Sequence, residues 1–101
     1  LKKTFVEVKS VTYADDDMGY FPDAVSVRAT KHLHELSDMV KSGHRSVVVY
    51  CVQRSDIQSV FPAHHIDKKY ALAYEHARSI GVEFIPLFIS IDGELGKYSV
   101  I

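Results

Sequence analysis

The amino-acid sequence predicts an α/β fold, a mixed sheet flanked by helices. Three observations carry that prediction. Segments with the two-residue alternation of strands take turns with segments of helical periodicity. The run RSVVVYCVQ is apolar almost throughout, the signature of a central strand covered on both faces. The resulting order, strand, helix, strand, helix, strand, belongs to layered α/β architectures.

The elements follow in turn. Phe5 to Tyr13 reads as a strand from its alternation and its Val and Thr content. ADDDMGY, Ala14 to Tyr20, reads as a turn whose three carboxylates sit in water. FPDA then introduces a helix. Asp23 suits the N-cap, and Val25, Ala29, Leu33, Leu36 and Val40 recur at helical spacing. Gly43 ends that helix as a C′ residue. Arg45 to Gln53 is the central strand. A loop rich in His, Pro and Asp leads to a second amphipathic helix in DKKYALAYEHARSIG, with Ala71, Leu72, Tyr74, Ala77 and Arg78 or Ile80 near its buried stripe. VEFIPLFISID gives another strand, where Pro86 marks an edge or a bulge, and LGKYSVI adds a short last one.

The 101 residues suffice for one small domain with a modest core. The formal net charge of −1 provides no global positive field, so any anion site must be local. The single Cys51 lies in an apolar run, as a small hydrophobe would, which fits a reducing cytoplasm. No apolar run reaches the roughly 18 residues of a membrane span, so no membrane partner is expected. The chain starts without Met and enters and leaves in strand-like sequence. It is therefore read as the C-terminal portion of a longer protein, and its oligomeric state is left open, a dimer included.

Three clusters carry chemical promise. Glu7 and Lys9, two apart on a strand, point to one face about 7 Å apart along the chain. A carboxylate there can hold a divalent cation such as Mg²⁺ or Mn²⁺, and a neighbouring ammonium can orient water or neutralise phosphate charge. The same spacing also describes an ordinary solvated strand face. Arg28, Lys31 and His32 lie early in the first helix, where the dipole favours an anionic ligand. The competing reading pairs Arg28 or Lys31 with carboxylates further along, Lys31 with Glu35 at i+4. Gln53, Arg54 and Asp56 fall at the carboxyl end of the central strand, where ligands gather in α/β sheets, although turn bonding explains them equally well. The six histidines lack zinc spacing, since His32 and His34 face apart on a helix and His64 and His65 are adjacent. No glycine-rich phosphate loop or serine elbow is present in the sequence.

Taken together, VEVKSVT, YFPDAVSVRATKHLHEL and GHRSVVVYCVQRSDIQSVFPAHHIDKKYA closely resemble the bacterial and archaeal sugar fermentation stimulation protein family. The resemblance runs in order over nearly the whole chain and loosens after Gly81. It implies an N-terminal oligonucleotide-binding-type barrel followed by a domain with a restriction-endonuclease-like, PD-(D/E)-x-K core. It also implies DNA as partner and a role in regulating maltose utilisation. Glu7 and Lys9 match the E-x-K half of the nuclease motif. Asp23, Arg28, Lys31 and His32 match the segment FPDA…R…KH, and Gln53, Arg54 and Asp56 match QR-x-D. Ser26 and Ala29 stand where Thr and Gly are expected. The acidic residue of the motif falls on a strand before Leu1, so the N-terminal strands of the core are expected to be missing here.

Three functions compete on this reading. The first is a DNA-binding regulator of sugar utilisation that contacts phosphates through Arg28, Lys31, His32 and Arg54. The second is a metal-dependent DNA phosphodiesterase using Glu7 as metal ligand, with Lys9 and Gln53 beside it. The third is a module that binds no nucleic acid, for which the near-neutral charge speaks.

Overall fold

A computed structural model describes residues 1–92 and 97–100, with side chains through residue 89. Nine elements follow one another: β1 (Thr4–Val11), β2 (Tyr13–Asp15), β3 (Met18–Phe21), α1 (Val27–Lys41), β4 (Arg45–Val52), β5 (Ser59–Pro62), α2 (Lys68–Ile80), β6 (Glu83–Asp92) and β7 (Lys97–Val100). They form a four-stranded sheet in the order β1-β4-β6-β7 and a three-stranded sheet in the order β2-β3-β5. Pairing of β1 with β4 and of β4 with β6 is parallel, whereas β6 and β7 run antiparallel. This is a mixed α/β architecture with sheets flanked by helices.

α1 and α2 are the crossovers between the parallel strands. Right-handed crossovers stepping the same way across a sheet place both helices on one face, and the two helices pack against each other. The covered face carries Phe5, Glu7, Lys9 and Val11 of β1 beside Ser46, Val48, Tyr50 and Val52 of β4. Val11, Val48, Tyr50 and Val52 join Ala29, Leu33 and Leu36 of α1 and Tyr70, Ala73 and Ala77 of α2 in the core. Removing that apolar surface from water is the main stabilising term.

The parity of β1 has a consequence for its charges. Val11 and Phe5 belong to the covered face, and strand geometry places Glu7 and Lys9 on that face with them. Val6 and Val8 then point the other way and are 57% and 61% exposed, whereas the side chains of Lys9 and Glu7 are only 17% and 34% exposed. The charged pair thus faces the helix layer, and the valines face away from it.

Asp67 ties the two helices together. It is buried, and it caps α2 by accepting the Tyr70 N–H through Oδ1 at 3.1 Å. Its Oδ2 accepts the N–H of Ser26, the α1 N-cap, at 2.8 Å. Ser26 Oγ in turn accepts from Ala29 N at 3.0 Å. One carboxylate therefore fixes both helix starts, each of which would otherwise leave donors without partners. Gly43, at φ +91°, takes the left-handed conformation that follows the end of α1.

Several boundaries differ from the sequence reading. The segment Ala14 to Tyr20 is a hairpin, with β2 and β3 flanking a turn at Asp16 and Asp17. Asp16 has φ 60°, a conformation Asp tolerates better than most residues. The loop after the central strand contains β5, which pairs parallel with β3. Asp23 is exposed and does not cap α1; Ser26 does. Val25 precedes the helix and is exposed, as is Leu72 on α2. Pro86 lies within β6 opposite Tyr50 of β4, while β7 pairs only from Ile89 onward. At Pro86 the outer side of β6 thus has no strand partner among the described residues, where a missing N–H costs nothing. Of the last expected strand, Leu95, Gly96 and Ile101 lie outside the described residues.

Candidate functional site

The site is built where β1 meets α1. Glu7 and Lys9 share a face because they are two apart on a strand. His32 reaches them from the second turn of α1, whose buried residues Ala29, Leu33, Leu36 and Ser37 hold the helix against the sheet. Lys9 Nζ stands 3.1 Å from Glu7 Oε1, and His32 Nδ1 stands 3.2 Å from the same oxygen. Lys9 Nζ and His32 Nδ1 are 3.1 Å apart. A carboxylate, an ammonium and an imidazole therefore share one contact zone.

The ring nitrogen has two uses there. Carrying a proton, Nδ1 donates to Glu7; without it, Nδ1 accepts from Lys9. The half-buried setting strengthens each polar interaction relative to open water. Beside the cluster lies a cavity of about 440 Å³ lined by Phe5, Val6, Glu7, His32, Glu35 and Met39, among others. It adjoins β1, an edge strand among the described residues.

The remaining site residues divide. Arg28 is one helical turn before His32, on the same stripe. It is exposed and has no ion pair among the described residues. Lys31 is exposed at the helix surface, 3.9 Å from Glu35, the i+4 partner anticipated for it. Gln53 and Arg54 follow β4 immediately and are exposed. Gln53 comes three residues after Tyr50, the partner of Lys9, about 10 Å further along the strands. Arg54 makes a two-pronged pair with Asp56, at 3.0 and 2.6 Å, and donates to the Thr12 carbonyl at 2.8 Å. Asp56 holds the Arg54 guanidinium above its ordinary range, and Arg54 holds the Asp56 carboxyl below the usual carboxylate range. That guanidinium pins the strand-end loop to the end of β1.

The sequence assigned His32 to the helical cluster with Arg28 and Lys31, and the tertiary structure also joins it to Glu7 and Lys9. Glu35, which the sequence offers only as an ion-pair partner for Arg28 or Lys31, lines the same cavity; its i+3 spacing from His32 is the available signal. Among the described residues, no three His, Cys, Asp or Glu side chains converge on a single metal position. No described helix is long and apolar enough to cross a membrane.

Comparison with known proteins gives consistent results. Residues 1–94 match the family described as "Sugar fermentation stimulation protein RE domain". A sugar fermentation stimulation protein homolog of Marinomonas sp. (strain MWYL1) is 52% identical over 94 residues, covering 92% of this chain and 36% of that protein. One from Pseudoalteromonas atlantica is 52% identical over 91 residues, covering 90% of this chain and 39% of that protein. The structure of Pyrococcus furiosus SfsA in complex with Ca²⁺ superimposes with a TM-score of 0.87 at 27% identity, covering 96% of this chain and 42% of that one. The chain thus spans well under half the length of these relatives.

Proposed function

This chain belongs to the sugar fermentation stimulation protein family, and on that premise we propose that it is part of a cytoplasmic DNA-binding regulator of sugar (maltose) utilisation. It grips the phosphodiester backbone on a core of the PD-(D/E)-x-K nuclease type. The observation that carries this reading is the convergence of Glu7, Lys9 and His32 within 3.2 Å, beside a cavity that Glu7 and His32 line. Arg28 lies one turn away with its charge uncompensated among the described residues. Lys9 and Arg28 supply the cationic contacts that dominate affinity for a polyanion. His32 orients Glu7, Lys31 adds a peripheral charge, and Arg54 shapes the loop carrying Gln53.

The residues fit a hard divalent cation at the lower limit of its needs. Mg²⁺ is commonly held by one or two carboxylates, with water and phosphate oxygens completing its shell. Glu7 is the carboxylate for that task, and the ammonium of Lys9 beside it tempers the attraction. When bound, Mg²⁺ or Mn²⁺ would neutralise phosphate charge as a Lewis acid. The structure of the Pyrococcus furiosus protein in complex with Ca²⁺ supports this reading. The edge of β1 suits the addition of a preceding strand bearing the second acidic ligand of the motif.

A second reading, metal-dependent cleavage of DNA, is favoured by one observation. Glu7 and Lys9 face the helix layer, although the exposed face of the same strand would accept charges at no cost. One experiment addresses both readings. Binding of the intact protein to duplex DNA is expected to weaken steeply with salt, and Lys9→Ala or Arg28→Ala should each reduce the log–log slope by about 0.9. Binding indifferent to salt would overturn the first reading. Plasmid incubated with Mn²⁺ and the parent, Glu7→Ala or Lys9→Ala protein tests the second, and equal cleavage by all three would remove this site from the chemistry.

A further inference from the structure

The outward face of the three-stranded sheet carries an aromatic ladder that the proposed DNA site does not use. Tyr13 of β2 is in register with Tyr20 of β3, and Tyr20 is in register with Phe61 of β5. Their ring centroids are 6.0 and 6.2 Å apart. His65, in the turn before α2, stands edge-to-face on Tyr20 at 4.7 Å. The residues of opposite parity, Ala14 and Val60, pack on the core, so the ladder is the solvent side of this sheet. Tyr13 and Phe61 remain 36% and 44% exposed. Cross-strand aromatic pairs do stabilise sheets, but three in a row leave a broad π-surface at the exterior.

The Tyr13 end of that surface is acidic, whereas Arg78 and Glu83 line the groove beside Phe61 at the other end. Asp15 lies two residues after Tyr13 on the same face of β2, about 7 Å along the strand. Asp16 and Asp17 form the adjoining turn. Among the described residues, none of the three pairs with a lysine or arginine. Arg54, on the loop after β4, is engaged by Asp56 and the Thr12 carbonyl. Phosphate groups would be repelled at the acidic turn. A cation would meet aromatic faces, which attract it through their quadrupoles, together with carboxylates within reach.

We propose that the Tyr13–Tyr20–Phe61 ladder and its acidic turn form a docking surface for an arginine- or lysine-bearing segment of a partner polypeptide. The surface is separate from the Glu7–Lys9–His32 cluster and independent of what that cluster does. Guanidinium groups stack on the rings while neighbouring cations of the segment pair with Asp15, Asp16 and Asp17.

The test is fluorescence anisotropy of a labelled octa-arginine peptide titrated with the intact protein at near-physiological salt, with single-stranded (dT)12 as the competing ligand class. The combined Tyr13→Leu and Phe61→Leu substitution keeps apolar bulk and every charge but removes two π-faces. It is expected to weaken octa-arginine about fivefold, the product of two exposed cation–π contacts. The Asp15→Asn, Asp16→Asn and Asp17→Asn triple variant leaves the ladder untouched and keeps a residue type tolerated at the positive φ of Asp16. It should weaken the peptide at least as much. Octa-arginine affinity unchanged in either variant would overturn the proposal. So would (dT)12 binding that falls with the leucine substitutions, which would make the ladder a base-stacking surface instead.

Discussion

Asp67→Ala is the substitution whose consequence the structure defines most closely. The carboxylate is buried and accepts two backbone N–H groups, Ser26 at 2.8 Å and Tyr70 at 3.1 Å. Alanine leaves both donors without their partner. A hydrogen bond to a charged acceptor contributes about 1.5–3 kcal/mol, and loss of a helix N-cap costs about 1 kcal/mol. Counting Ser26 with the first figure and Tyr70 with the second gives a loss of about 3 kcal/mol. With a urea m-value of about 1.5 kcal/mol/M for a chain of this size, the midpoint should fall by about 2 M with the slope unchanged. Asp67→Asn keeps one acceptor oxygen, so about half that shift is expected. Amide exchange should localise the effect, with Ser26 and Tyr70 losing protection while the middle of β4 keeps it under native conditions. A midpoint shift below about 0.5 M for alanine would refute the two-helix anchor. An asparagine variant as unstable as alanine would show that the two oxygens do not act separately.

Further outcomes follow from other parts of the fold. Gly19→Ala would place a Cβ 2.9 Å from Ile57 Cγ2 and 3.1 Å from Val11 Cγ1, so urea melts should show an overpacking loss of about 1–3 kcal/mol. Tyr50 and Tyr70 share a buried hydroxyl–hydroxyl hydrogen bond. Tyr70→Phe strands the Tyr50 hydroxyl at a cost of about 1–3 kcal/mol, whereas the double phenylalanine variant should recover most of that loss in the same melts. Burial, above all, holds both hydroxyls above the ordinary tyrosine range. Each therefore favours the fold below the unfolded value, and stability should decline as pH rises above about 10, less steeply in the double variant. Hydrogen bonding from Arg45, at 2.6 and 2.9 Å, holds the Glu83 carboxyl below its usual range. Its contribution is present above the unfolded value near about 4.3 and disappears as pH falls through the lower folded value, so Glu83→Gln should flatten the acid limb of a stability–pH curve.

Much of this protein was legible as sequence because it depends on local periodicity. The apolar run at Arg45 to Gln53 had to be a central strand, and the helical spacing of Ala29, Leu33 and Leu36 had to bury one stripe of α1. The Lys31–Glu35 pair follows from i+4 geometry alone. The same local logic recognised that Glu7 and Lys9 share a face, and motif order supplied the family. Short elements escaped it. A hairpin turning on Asp16 and Asp17 lacks the glycine that usually announces one, and β5 occupies four residues inside a loop-like composition. Their pairing rests on β3 lying beside β5, nearly forty residues away in sequence, which no local window contains.

Tertiary structure alone decided which way β1 faces. Val6 and Val8 look like the core side of an alternating strand, yet Phe5 and Val11 are the residues the helices cover, and period-two geometry carries Glu7 and Lys9 inward with them. Only that choice, together with the seating of α1 on the sheet, brings His32 to Glu7 and Lys9. Asp67 illustrates the same division: its capping of α2 is a local event, while its second oxygen meets Ser26 because the two helices start side by side. Sequence determines what each segment can form and which residues share a face. Which face is buried is a collective outcome, set by the total apolar surface removed from water when all the segments pack together.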